Sequence, residues 1–155
     1  MKLAVSGERH AVLKRMSILL CLVLTAVCQL NCSIPSLESP ECADAREAVR
    51  TFYSFHYAND IAMSPDNLKM REKFLTPELY QSLTANPLEK DYFTNSDTPL
   101  KAFKPAACKL AEPSKVVVGV HLFWKPSDRT TIQKEIVVET VKQGDKWLIN
   151  KVTPQ

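Results

Sequence analysis

The sequence predicts an α+β domain in which helices come first, antiparallel strands follow, and an N-terminal export signal precedes both. Apolar residues between positions 42 and 86 recur at three- and four-residue steps, as on one face of a helix. After position 105 they recur at every second residue, as on one face of a strand. A helical half followed by a strand half predicts that the helices cover one face of a sheet.

Residues 1–32 have the order of a cleavable signal peptide. The basic pair Lys14–Arg15 precedes an apolar run over residues 17–28, and small residues near its end predict cleavage close to residues 28–32. The run is short for a transmembrane helix, which needs about 20 apolar residues. An uncleaved anchor and a buried core helix are the alternatives. The leader therefore predicts an extracytoplasmic protein, in the periplasm or cell envelope.

Two leader cysteines raise the alternative of a lipid anchor. In a bacterial lipoprotein, the lipidated cysteine follows a triplet similar to Leu-Ala-Gly. Cys28 follows Thr-Ala-Val and Cys32 follows Gln-Leu-Asn, and both triplets fit that pattern poorly. Cys28 and Cys32 stay candidates for lipidation, against the interpretation that they are apolar residues of the signal.

The charge of the remaining chain argues against a nucleic-acid partner. The formal net charge is +3, and the leader supplies all of it, so residues 33–155 carry equal numbers of basic and acidic side chains. A neutral domain lacks the basic surface that binds phosphate backbones. We expect contact with a membrane only through the signal peptide or a lipid anchor.

Residues 33–41 contain two prolines and read as a linker to one domain over residues 42–153. The first helix starts near Pro40 or Cys42 and fades near Asn59 and Asp60. Its predicted inner face consists of Ala45, Ala48, Val49, Phe52, Tyr53 and His56.

Two shorter helices follow, each after a proline. The second opens at Ser64-Pro65-Asp66, with Leu68, Met70 and Phe74 as its apolar positions. The third opens with Thr76 as cap and Pro77 in the first turn, and ends before Asn86-Pro87. Residues 87–105 are rich in proline and polar residues and predict mostly loop.

The strand half starts with the most apolar segment, residues 115–124, which is apolar on both faces and therefore central or covered on both sides. A turn at residues 126–128 leads to a strand over residues 131–142. A hairpin turn at residues 143–145 leads to a strand over residues 147–152. Residues 106–111 predict a further strand at one edge. A sheet that curls around the first helix leaves a cone with an open end.

Cys42 and Cys108 are the two cysteines beyond the leader. Two cysteines in an exported chain predict one disulfide, here between the first helix and the middle of the chain. A reactive thiol and a metal pair are the alternatives. No histidine stands at ligand spacing from either cysteine, so we predict no metal site.

The segments Ala48-Val49-Arg50-Thr51-Phe52-Tyr53 and Gly144-Asp145-Lys146-Trp147-Leu148-Ile149-Asn150-Lys151-Val152 resemble the first helix and last strand of the nuclear transport factor 2-like, or cystatin-like cone, superfamily. The segments Phe74-Leu75-Thr76-Pro77-Glu78-Leu79 and Asp91-Tyr92-Phe93-Thr94 are similar to a bacterial family of small envelope proteins, often lipoproteins, that carry a domain of unknown function. The resemblance covers about residues 42–152. It implies helices packed on a curved antiparallel sheet, in a superfamily of isomerases, dehydratases, ligand carriers and interaction modules.

In such a cone the pocket candidates are Tyr53, His56, Asp91, His121 and Trp124. A histidine paired with Asp91, or a tyrosine paired with Asp91, is a set for general acid–base catalysis. The alternatives are hydrogen-bonded core histidines, an aspartate that caps a turn, and aromatic side chains that fill the core.

The sequence predicts no cofactor. Its three glycines form no phosphate-binding loop, and the common hydrolase, zinc-protease and dithiol motifs do not occur. The favoured function is therefore a non-enzymatic envelope module that binds a protein or a small apolar ligand, with a homodimer as one arrangement. An isomerase- or dehydratase-like enzyme is the first alternative, and an immunity-type inhibitor of an envelope toxin is the second.

Overall fold

Each of the three α-helices in the described part of the chain begins with a hydroxyl residue followed by proline. The structure is a computed structural model that describes residues 38–86 and 88–155, so the predicted signal peptide, Cys28 and Cys32 lie outside the described residues. The helices are α1 (Pro40–Tyr57), α2 (Pro65–Arg71, continued by a 3₁₀ turn over Glu72–Phe74) and α3 (Pro77–Ala85). Helix α1 thus takes in the last two residues of the predicted linker.

The helix starts follow one local rule. The side chains of Ser39, Ser64 and Thr76 each accept a hydrogen bond from the backbone N–H three residues later, at 3.2–3.3 Å. Each bond satisfies an N–H that the first helical turn leaves without a partner. Proline loses nothing at the next position, because its missing N–H would have been unpaired there.

Four antiparallel strands form the sheet in sequence order. They are β1 (Ala102–Glu112), β2 (Lys115–Ser127), β3 (Thr130–Gln143) and β4 (Lys146–Pro154). Gly144, with a φ of 60°, makes the turn between the last two strands. Strand β2 is an inner strand of the sheet, as its apolar pattern predicts. The predicted α+β class, with N-terminal helices on an antiparallel sheet, is confirmed.

The start of β1 differs from the predicted loop over residues 87–105. The strand begins at Ala102 and includes Pro105, which pairs with Val120 next to an irregularity in the register. A proline has no N–H to donate, so it is tolerated in an edge strand such as β1. The end of β2 also differs, because the strand continues to Ser127 through the first part of the predicted turn.

Helix α1 contacts all four strands and supplies the centre of the core. Ala45, Val49, Phe52 and Tyr53 are fully buried on it, and they pack against the inner-face valines of β2 and β3. In α2, Met70 is one of the apolar positions of the sequence pattern, and it is 43% exposed. The buried position is the next one, Arg71, because the helix presents residues 68 and 71 inward.

The Cys42–Cys108 disulfide is present and ties the N-terminal turn of α1 to β1, with the two Cα atoms 5.8 Å apart. Within the two described ranges, no helix has the length and apolar character needed to cross a membrane.

Gly119 gives a first test of the packing on the outer face of the sheet. A methyl group added there would approach a carboxylate oxygen of Glu135 to 3.2 Å, and Glu135 is an exposed side chain able to rotate away. We expect Gly119→Ala to stabilise the protein by about 0.5 kcal/mol, because alanine restricts the unfolded chain more than glycine does. Urea unfolding measures this, and a loss of stability would show that the outer face is more tightly packed.

Candidate functional site

Hydrogen bonds join three buried polar side chains that come from three different elements. They are His56 of α1, Arg71 of α2 and Asp91 of the loop before β1, and none is more than 3% exposed. Arg71 Nε donates to His56 Nδ1 at 2.8 Å, and His56 Nε2 lies 2.8 Å from Asp91 Oδ2. We call these three residues the buried cluster.

The hydrogen bonds determine the tautomer of His56. Arginine has only donors, so Nδ1 of the imidazole must accept and carries no proton. The proton of the neutral ring is then on Nε2, which donates to the carboxylate of Asp91. The imidazole therefore connects a guanidinium to a carboxylate, and both of its nitrogens are occupied.

Arg71 also binds the backbone of α2 and of the segment before it. Its terminal nitrogens donate to the carbonyl oxygens of Asn67 and Asp60, both at 2.6 Å. Burial lowers the pKa of the Arg71 guanidinium, and the negative charges of Asp91 and Asp60 oppose that shift. The guanidinium stays charged, because the ordinary pKa of arginine is far above neutral pH. The guanidinium thus joins α1, α2 and the segment between them.

Asp91 organises the loop that covers this end of the core. Its Oδ1 accepts from the backbone N–H of Phe93 at 3.1 Å, and its Oδ2 accepts from the hydroxyl of Thr94 at 2.5 Å. This is the local bonding by which aspartate favours turns. The turn places Phe93, which is fully buried, against the rings of Phe52 and His56.

Tyr53, the neighbouring pocket candidate, binds the same loop. Its hydroxyl donates to the carbonyl oxygen of Phe93 at 2.7 Å. Burial of the hydroxyl raises the pKa of Tyr53 well above 10.0, and the charge of Asp91 adds to the shift. The native state thus keeps a proton that the unfolded state loses above about pH 10.

This shift predicts an alkaline loss of stability that depends on Tyr53. The stabilisation is complete below pH 10 and decreases as the pH rises above it, because only the unfolded chain gains from ionisation. We expect the unfolding free energy of the wild type to fall more steeply above pH 10 than that of Tyr53→Phe. At pH 7 the variant should lose about 1 kcal/mol, the usual value of one hydrogen bond. Parallel slopes in urea titrations at pH 8–11 would contradict the assignment.

The other two pocket candidates lie apart from the buried cluster. His121 is on the outer face of β2, where Gln133 is 3.4 Å and Glu135 4.0 Å from its Nδ1. Trp124 is buried, and its indole N–H donates to the carbonyl of Thr98 at 2.9 Å. The structure therefore brings together Tyr53, His56 and Asp91, and places His121 and Trp124 elsewhere.

The buried cluster has the composition of an acid–base dyad but not its accessibility. A catalytic histidine needs one nitrogen free to exchange a proton with a substrate. In His56 one nitrogen faces Arg71 and the other faces Asp91. The arrangement is therefore suited to holding α1, α2 and the loop before β1 together. Glu38, Cys42 and Cys108 also lie close to one another, but the two sulfurs are bonded to each other and offer no thiolate to a metal ion.

A groove lies between α1 and the β3–β4 hairpin. It has a volume of about 750 Å³. One wall consists of the helix face that carries Asp44, Glu47, Ala48 and Thr51. The rest of the lining is Lys73, Phe74, Lys142, Asp145, Lys146, Trp147 and Leu148. We call this the α1 groove.

A second groove of about 390 Å³ lies beside the first, between α3 and the β3–β4 hairpin, and we call it the α3 groove. Lys73, Lys146 and Leu148 line both grooves. The sequence pattern predicts neither groove. Lys142 and Lys146 flank the predicted hairpin turn, and only the folded structure places Lys73 of the 3₁₀ turn beside them in the same groove.

Comparisons with known proteins give a weak structural likeness and no sequence relative. No family model matches the chain, and no curated protein is significantly similar to it. A solved structure described as an Ntf2 like protein involved in plasmid conjugation is similar to it, with a TM-score of 0.46 and 14% sequence identity. That alignment covers 77% of this chain and 41% of the other chain, so this chain spans less than half of that protein's length.

Proposed function

We propose that this protein is an exported envelope protein that works as a non-enzymatic binding module and recognises a protein partner through the α1 groove. The proposal rests on the difference between the buried cluster and the α1 groove. The titratable side chains at the buried cluster bind one another, whereas the α1 groove has apolar and charged side chains facing open space.

The composition of the α1 groove is that of a recognition surface. Phe74, Trp147 and Leu148 supply apolar contact area, and aromatic residues are enriched where proteins bind partners. Lysines and carboxylates surround them, as in the polar rim of an interface.

Export is supported by the disulfide and by the order of the leader. A disulfide persists in an oxidising compartment such as the periplasm, and it is rare in the cytosol. The resemblance to small bacterial envelope proteins, often lipoproteins, agrees with this location. A lipid on Cys28 or Cys32 would hold the domain at a membrane surface.

Site-specific photocrosslinking in the cells that make the protein tests the binding role. Benzoylphenylalanine would replace Thr51, which is exposed and lines the α1 groove, and in a matched variant Thr131, which is exposed and lies outside both grooves. We expect a discrete crosslinked species from position 51 only. A species of twice the protomer mass would identify the partner as a second copy, and a one-to-one complex with a toxin would identify an immunity protein. Equal crosslinking from both positions, or none, would contradict the proposal.

The mass of the mature protein tests export. We expect a chain that starts between residues 28 and 33, with or without acyl groups, when the protein is purified from the envelope fraction. An intact N-terminus at Met1 in the cytosolic fraction would contradict it.

An enzyme of the isomerase or dehydratase kind is the second candidate, and the pairing of His56 with Asp91 favours it. It requires Arg71 to leave Nδ1 so that the imidazole can accept a proton from a substrate. A ligand that perturbs the His56 ring resonances in an NMR titration would support it. A ring insensitive to every ligand that binds the protein would exclude it.

A further inference from the structure

We propose that the α1 and α3 grooves form one site for an extended peptide segment that carries a carboxylate between apolar side chains. This inference rests on the proposed function and goes further, because it specifies the chemistry of the partner. Two features of the grooves support it: the lysines that line both of them, and the apolar surface on each side of those lysines.

The two grooves meet at Lys73, Lys146 and Leu148, which line both of them. One ligand that enters both must therefore pass these three side chains. A site of two adjacent parts along a protein surface suits a chain, whereas a small molecule usually binds in one concave pocket.

The charged residues at the meeting point are both lysines. Neither Lys73 nor Lys146 has a carboxylate within 4 Å in the described part of the chain. Of the acidic side chains that line the grooves, Glu72 pairs with Lys69 and Glu47 with Arg50, and Asp44 and Asp145 lie more than 4 Å from both lysines. The meeting point thus favours a negatively charged group from the ligand.

Lys73 is also held in place by aromatic rings. Its Nζ lies 4.9 Å from the ring centres of Phe55 and Phe74. Such cation–π contacts restrict the ammonium group without neutralising it. A positive charge that is positioned but not paired with a carboxylate loses little entropy when a ligand carboxylate binds.

Apolar side chains lie on both sides of the lysine pair. Phe74 and Trp147 line the α1 groove, and Leu75 and Tyr80 line the α3 groove. A ligand that places a carboxylate at the lysines would therefore place apolar residues before and after it.

Selection from a random twelve-residue peptide library on the immobilised protein tests the inference. We expect the enriched peptides to share an aspartate or glutamate flanked by apolar residues. Replacing that residue by its amide should weaken binding at least tenfold, and so should the double variant Lys73→Gln/Lys146→Gln. The matched control is Lys101→Gln/Lys151→Gln, two exposed lysines outside both grooves, which should leave the affinity unchanged. The Trp147 indole N–H signal should shift in the NMR spectrum when the peptide binds.

Three other results would overturn the inference, and they can be told apart. Peptides without a carboxylate that still bind the α1 groove would overturn the charge assignment and leave the proposed function standing. Acetate or free glutamate that binds as tightly as the peptide would show a small-anion site instead. A library that yields no binder would overturn the peptide site, whereas the proposed function would still be decided by the crosslinks from position 51.

Discussion

Replacing Arg71 by methionine should destabilise the protein by about 3–5 kcal/mol, the range observed when one partner of a buried ionic cluster is removed. The methionine fills a similar space, but it cannot donate to His56 Nδ1 or to the carbonyl oxygens of Asn67 and Asp60. It also leaves the carboxylate of Asp91 buried without its positive counterpart. Since small domains are usually stable by 5–15 kcal/mol, most of the stability should be lost.

The matched control is Lys69→Met, on the same helix two residues earlier. Lys69 is exposed and pairs with Glu72 at 2.6 Å at the surface, so its removal should leave the unfolding midpoint almost unchanged. Arg71→Lys keeps the charge but not the planar set of donors, so its unfolding midpoint should lie between those of Arg71→Met and Lys69→Met. Urea unfolding followed by circular dichroism measures all three. Equal midpoints for Arg71→Met and Lys69→Met would show that the buried cluster contributes nothing to stability.

Removing the disulfide is the second change with a large expected effect. The bond between Cys42 and Cys108 spans 66 positions of sequence, and in the chain-entropy model closing such a loop stabilises by about 4 kcal/mol. We expect Cys42→Ala/Cys108→Ala to lower the melting temperature by roughly 15 °C.

Reductant provides the control for the disulfide. Dithiothreitol should lower the melting temperature of the wild type towards that of the double variant, and it should not affect the double variant itself. A wild type that melts at the same temperature with and without reductant would contradict the expected stabilisation, provided that mass spectrometry confirms that the bond is reduced.

The fold was largely predictable from local signals. The hydroxyl-proline pairs before each helix and the alternating apolar residues of β2 define elements that the structure contains. The predictions were wrong where a tertiary contact decides the conformation. Residues 102–105 become part of β1 because β2 offers an edge for them to pair with, although Pro105 favours a loop.

The site was predictable only in part. The residues His56 and Asp91 were both identified, yet nothing in their spacing of 35 residues shows that they bind each other. Arg71 was missed because a charged residue beside Met70 is expected to be exposed. In addition, a helix of seven residues has too few turns for its sequence pattern to show which face is buried. An arginine becomes buried only when several acceptors converge on it, and those acceptors come from three separate segments.

The sequential order of the strands has a consequence for how the chain matures. Every strand pairs with its neighbour in sequence, so the sheet consists of hairpins whose contacts are local, and local contacts form quickly. Helix α1 instead docks across a long stretch of chain, and Cys42 reaches Cys108 only when it has done so. We therefore expect the two thiols to remain reduced in early folding intermediates. Oxidation would then trap the docked helix, so the rate of thiol oxidation would set how soon the newly folded protein resists proteolysis.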